Sequence, residues 1–247
     1  MKIKELVSAL ERFAPLPLQD GFDNAGLQIG LTEAEATGAL LCLDVTEAVL
    51  DEAIALGYNL VISHHPLIFK GYKSITGKDY VERCILKAIK NDIVIYSAHT
   101  NLDNAQGGVN YKIAEKIGLK NLKVLEPKEN SLQDDLTQGG AGIVGELDEP
   151  ETELEFLKRI KKTFEVGCVR HNRLTGREIQ KVALCGGAGA FLLPQAIRAG
   201  ADVFITGEIK YHDYFGHEGD ILMAEIGHYE SEQYTKEIFY SIIRDLF

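Results

Sequence analysis

The chain has 247 residues, 45 % hydrophobic and 26 % charged, an ordinary globular composition long enough for one large domain or two compact ones. This excludes a disordered, collagen-like or coiled-coil chain, and no apolar run approaches the ~20 residues of a membrane-spanning helix. A formal net charge of −11 disfavours broad electrostatic binding to nucleic-acid phosphates.

The first predicted element is an amphipathic helix. Ile3, Leu6, Val7, Leu10 and Phe13 recur at helical spacing, and Pro15 and Pro17 stop it. The chain enters this helix directly from Met1 without a signal-peptide core, so the expected compartment is the cytoplasm. Residues 20–26 are a dense turn signal. A buried strand follows at 40–44, then a helix capped by Thr46 and closed by Gly57, then a strand at 59–63 with an apolar centre. A helix at 79–91, a strand at 93–98 and a helix from Gly108 to about Gly118 continue the alternation. Such alternation predicts a mostly parallel α/β sheet.

The middle of the chain differs. Residues 138–142 are glycine-rich, 143–147 read as a strand, 153–164 as a charged helix, and 165–169 and 179–185 as further strands. The expected division is a first α/β lobe of residues 1–125 plus 215–247 and a second of residues 126–214.

An internal repeat links the two. At an offset of 143 residues Leu41 meets Leu184, Cys42 meets Cys185, Ala53 meets Ala196, Gly57 meets Gly200, and the strand at 60–63 lies on 203–206 without a gap. Duplication of a strand–helix–strand unit implies two similar lobes, with a binding site expected in the cleft between them.

Strand ends hold most of the chemistry. His64 and His65 follow one strand, His99 follows the next with Asp103 four residues on, and His228 follows a strand at 221–226 with Glu230 and Glu232 beyond. In a parallel sheet the C-terminal strand ends line one edge, where ligands bind. Neighbouring extended residues point to opposite sides, so two metals are expected to take one imidazole each. Mixed imidazole and carboxylate donors suit zinc, iron, manganese or similar divalent ions. His228 and Glu232 are spaced to share one helical face. His99 is read either as a ligand or as a hydrogen-bonding neighbour of one. His171 and His217 are expected to be solvated, whereas a site role for His212 stays open.

Other signatures fail. Cys42, Cys84, Cys168 and Cys185 contain no CxxC pair and are expected to be buried thiols. No phosphate-loop or nucleophile-elbow motif occurs, and the glycine-rich loop at 185–190 is weak evidence for a nucleotide.

Five segments in order carry a family resemblance: residues 23–30, beginning Asp23 and Asn24; Ser63, His64, His65 and Pro66; residues 99–103; Thr206, Gly207 and Glu208; and residues 227–232. Across nearly its whole length the chain resembles the GTP cyclohydrolase type 2 homologue family, also called the Nif-three-like dinuclear metal proteins. The resemblance implies two metals in a cleft between two α/β lobes. It carries the ligands to His64, His65, Asp103, His228 and Glu232, with Glu232 as bridge. It places His99 beside the site, as the candidate catalytic residue, and leaves His212 and Glu208 without an assigned role. It further implies a homohexamer built as a trimer of dimers. The family name implies hydrolytic opening of the GTP imidazole ring with release of formate. Three readings therefore stay open: a metal-dependent hydrolase of GTP or a related nucleotide, a metallohydrolase of another small molecule such as a phosphoester, and a non-catalytic metal-binding regulator.

Overall fold

The computed structural model describes residues 1–128, 139–217 and 219–246. The start of the expected glycine-rich stretch, Gln138, lies outside them. The fold is mixed α/β, and the chain divides into two compact units: Met1–Ala105 with Thr235–Phe247, and Gln106–Tyr234. The expected division put 106–125 and 215–234 with the first lobe, whereas here they pack with the second.

In the first unit, helix α1 (Ile3–Phe13) buries Ile3, Leu6, Val7 and Leu10, the apolar stripe read from the sequence. Strand β1 (Gly26–Ile29) is followed by β2 (Ala39–Cys42) and helix α2 (Glu47–Leu56). Thr46 caps α2 by accepting from the Val49 amide at 3.3 Å, and Gly57 ends it in the left-handed region at φ 69°. Then come β3 (Leu60–Ser63), α3 (Tyr80–Lys90), β4 (Val94–Ser97) and the short helix α4 (Thr100–Asn104). The sheet order is β1-β4-β3-β2. Strands β2, β3 and β4 are parallel, and β1 pairs antiparallel with β4. Leu50, Ala53, Val61, Ile85, Ala88 and Ile95 are among the side chains that form its core.

The second unit begins with α5 (Val109–Ile117), β5 (Lys120–Pro127), β6 (Gly140–Thr152) and α6 (Glu153–Thr163). Next come β7 (Arg170–His171), β8 (Glu178–Cys185), α7 (Leu193–Arg198), β9 (Val203–Thr206), β10 (Leu222–Glu225) and α8 (His228–Glu232). Helix α9 (Thr235–Ile243) returns to the first unit and packs on α1. The second sheet runs β5-β6-β8-β9-β10-β7, with only β8, β9 and β10 mutually parallel. Strands β5, β6 and β7 join antiparallel, so neither sheet is parallel throughout. The strand expected at 165–169 is displaced to Arg170–His171, where the chain can pair with β10.

The two parallel triplets share their register. Leu41 pairs with Ile62 in the first unit, and Leu184 with Ile205 in the second. These are the positions related by the 143-residue offset, so the pairing is consistent with duplication of one βαβ unit. In each unit the third parallel strand leads, after two residues, into a helix of five residues, α4 or α8.

Candidate metal centre

In the first unit the parallel ladder continues past β3 to present the histidine pair. The His64 amide donates to Cys42 O at 3.2 Å and the His65 amide to Leu43 O at 2.9 Å. The expected divergence of the two rings does not occur, because both residues sit in a bend beyond the strand, where side chains no longer alternate. Their ring centroids are 4.9 Å apart, and the His99 ring lies 5.2 Å and 5.3 Å from them. One ligand nitrogen from each of His64, His65 and His99 falls within 4.8 Å of the other two.

Hydrogen bonds fix which nitrogen each ring offers. His64 is fully buried, and its Nδ1 lies 2.9 Å from the Ala98 carbonyl oxygen. A carbonyl oxygen only accepts, so Nδ1 carries the hydrogen and the lone pair sits on Nε2. That Nε2 is 3.6 Å from Asp103 Oδ1, too long for a hydrogen bond and suited to two donors facing one cation. His65 Nδ1 lies 2.8 Å from Asp44 Oδ1, and His99 Nδ1 lies 2.8 Å from Asp23 Oδ1. An ionised carboxylate also only accepts, so the same tautomer is set in all three rings. Such bonds orient an imidazole and raise the basicity of its other nitrogen.

Asp23 is itself fixed. It accepts from the Thr100 amide at 3.0 Å, from the Thr100 hydroxyl and from His99. Burial alone would raise its pKa, but the bonds from His99 and Thr100 outweigh this and hold the carboxyl at about 2. Helix α4, which carries Asp103, is tied down by Asn101 Nδ2 donating to Ala14 O at 2.8 Å and by Asn104 Nδ2 donating to Leu18 O at 2.9 Å.

In the second unit His228 opens α8 and Glu232 closes it. Their i, i+4 spacing puts His228 Nε2 3.1 Å from Glu232 Oε2, while His228 Nδ1 lies 2.8 Å from Glu208 Oε1. Hydrogen bonding to Glu232, then its charge and the bond to Glu208, raise the His228 pKa to about 9 against the opposing effect of burial.

The glycine-rich loop after β8 serves this pair instead of a phosphate. Its amides are used internally: Gly186 donates to Asn110 Oδ1 at 2.9 Å, Gly187 to Ser231 Oγ at 3.0 Å and Gly189 to Thr206 Oγ1 at 3.0 Å. A Cβ on Gly187 would collide with the Glu232 carboxylate, and φ there is +58°.

The structure thus gathers His64, His65, His99 and Asp103 in the first unit, and His228 with Glu232 in the second. Sequence reasoning gave no role to Asp23, Asp44 or Glu208, the carboxylates that hold His99, His65 and His228. Asp44 and Glu208 stand just past β2 and β9, on the same strand-end edge as the histidines, so the strand-end argument could have found them. His212 is exposed, with its ring against Tyr211 and Phe215, and belongs to no ligand cluster among the described residues. His171 is exposed as expected. Cys42, Cys84 and Cys185 are buried, but Cys168 is exposed. Burial pushes the Cys42 thiol up to about 12, which leaves it inert. Among the described residues no helix is long and apolar enough to cross a membrane.

The imidazole nitrogens and carboxylate oxygens of these clusters fit a divalent transition-metal ion. Comparison with known proteins gives matches along the whole chain. The sequence profile of the Duf34/NIF3 (NGG1p interacting factor 3) family matches residues 1–247. A Clostridium perfringens protein named GTP cyclohydrolase 1 type 2 homolog is 37 % identical over 235 residues, covering 94 % of this chain and 87 % of its own length. The crystal structure of a Bacillus cereus protein related to NIF3 superposes with a TM-score of 0.90 at 28 % identity, covering 100 % of this chain and 93 % of that one. A Staphylococcus aureus hypothetical protein gives a TM-score of 0.89 at 32 % identity with the same coverage. The chain belongs to the Duf34/NIF3 family.

Proposed function

We propose that this family member is a metal-dependent hydrolase of GTP or a related nucleotide that works with two divalent ions. His64, His65, Asp103, His228 and Glu232 would hold the ions, and the Asp103 and Glu232 carboxylates would offset their charge. The carrying observation is that Nδ1 of His64, His65 and His99 is each spent on an oxygen acceptor. One ligand nitrogen from each ring lies within 4.8 Å of the other two, so these oriented imidazoles converge as the donors and close neighbours of a cation site must. Divalent ions held there supply Lewis acidity toward a substrate oxygen.

The remaining work falls to the chain. Asp44 and Glu208 keep His65 and His228 in the ligating orientation. His99, anchored through Nδ1 by Asp23, moves a proton at Nε2, a task worth ~10²–10⁴ in rate. The same reading includes self-association as a homohexamer, which light scattering of the purified protein tests directly.

The deciding experiment is metal analysis of the protein as purified, followed by GTP turnover with each metal restored. Formate release supports the reading. Release of phosphate from generic esters without formate replaces it with a phosphoesterase, and no turnover with any metal leaves a metal-binding regulator.

A further inference from the structure

Two aromatic side chains stand beside the histidine cluster of the first unit, and the metal chemistry does not use them. Phe22 is 66 % exposed and Phe69 is 43 % exposed. Their ring centroids are 6.3 Å apart at a tilt of 43°, and Phe69 stands edge-on to His99 with 6.3 Å between centroids. A phenyl ring contributes to folding chiefly by leaving water, and these two remain largely in it.

The loops that carry them are fixed to each other. Asn24 Nδ2 donates to the Ile68 carbonyl at 2.5 Å, Gln28 Oε1 accepts from the Ile68 amide at 3.2 Å, and Gln28 Nε2 donates to Asn24 O at 2.6 Å. Asp23, between Phe22 and Asn24, is the residue that anchors His99. One short segment therefore sets the position of the Phe22 ring, the Phe69 loop and the His99 imidazole together.

We propose that Phe22 and Phe69 form a stacking platform for the planar heteroaromatic ring of the substrate, which is a purine in the nucleotide reading on which this inference rests. Stacking on a phenyl face needs only a π surface, so the platform holds the ring beside His99 without reading its substituents. An alkyl phosphoester would gain nothing from it.

The test exploits a chain that has no tryptophan. Phe22→Trp places a single indole on the platform, and metal-free, chelated protein is titrated with guanosine, GTP and ribose 5-phosphate. Saturable quenching by guanosine and GTP, with ribose 5-phosphate silent, is expected. Adding Phe69→Ala should raise the half-saturation concentration by about 5- to 150-fold, the effect of losing one base–aromatic stack. Phe69→Trp with Phe22→Ala repeats the measurement from the other side if the first reporter misfolds. Absence of quenching by guanosine and GTP in both reporters overturns the proposal, as does equal quenching by ribose 5-phosphate. A fall in particle size for Phe22→Ala/Phe69→Ala also overturns it, because the pair would then be a contact between copies. The titrations run without metal, so they can fail while the metal reading stands, and the reverse.

Discussion

Asp23 and His99 lie 76 residues apart in the chain and are joined by one 2.8 Å bond from Nδ1 to Oδ1. The bond fixes both partners: it sets the imidazole tautomer and helps hold the carboxyl ionised to about pH 2. Asp23→Asn keeps the shape but removes the charge and offers an amide that can donate to Nδ1, favouring the opposite tautomer. Turnover should fall about 10- to 100-fold, the usual cost of losing such a partner, with metal content largely retained. Loss of a full metal equivalent in Asp23→Asn would make His99 a ligand and not a proton carrier.

His64→Ala/His65→Ala removes two of the convergent donors. Most bound metal should be lost, while circular dichroism keeps the spectrum of the parent, because both residues lie beyond the end of β3. Full metal content in the double variant would sink the ligand assignment.

Metal uptake should depend on pH through His228. Its pKa is raised to about 9, so below that pH the ring holds a proton between itself and Glu232. A cation that takes both groups must displace it. Apparent affinity should therefore climb by up to about tenfold per pH unit toward 9 and then level off. In the metal-free protein the sign is opposite. The His228 contribution to stability is fully present below the ordinary histidine pKa and is lost as pH rises through 9. Calorimetry in buffers of different ionisation enthalpy measures the released proton, and pH-independent uptake between 7 and 9 contradicts the argument.

Gly187→Ala and Gly57→Ala separate backbone strain from collision. Both glycines have positive φ, +58° and +69°, but a Cβ on Gly57 meets nothing within 4 Å, whereas one on Gly187 runs into Glu232. Gly57→Ala should cost about 1 kcal/mol of unfolding free energy. Gly187→Ala should cost more, about 1–3 kcal/mol, and should also weaken metal binding. Urea denaturation of the chelated proteins gives the comparison, and equal costs would remove the role assigned to the loop.

Away from the site, Glu82 fastens the turn before α3. Its buried carboxylate accepts from the Thr76 amide at 2.8 Å, the Thr76 hydroxyl at 3.0 Å and the Lys78 amide at 3.1 Å. The Thr76 amide bond, outweighing burial, lowers its pKa to about 2. A lowered carboxylate pKa contributes stability above the unfolded value and loses it as pH falls toward the folded one. Glu82→Gln should destabilise the protein at pH 7 and flatten its acid limb between about pH 4.5 and 2. Parallel melting curves for both proteins across that range would refute this.

Much of this could be read from the residues. The apolar strand ending at Ser63 announced His64 and His65 as strand-end groups, and the spacing of His228 and Glu232 announced a shared helical face. The likeness of the two βαβ units was legible because both keep the same strand register. Partners in space were not legible. Nothing local links Asp23 to His99, or Phe22 to Phe69, because each link depends on loops brought together by the sheet. Strand β7 was misplaced because a two-residue strand has no periodicity of its own and exists only where β10 offers it hydrogen bonds. The exposure of Cys168 was missed because a lone thiol carries no directional signal.

The shared register of the two parallel triplets also bears on how such a chain can change its chemistry. Strands β3, β4 and β10 end at Ser63, Ser97 and Glu225, and the candidate ligands follow within the next seven residues. Substitutions in those short stretches can alter what is held without disturbing a paired strand. Resemblance over a whole chain of this kind therefore measures the inherited framework, and two relatives that superpose closely can still differ in substrate. Activity is better assigned from the residues just beyond the strand ends, together with the loops bearing Phe22 and Phe69, than from overall identity.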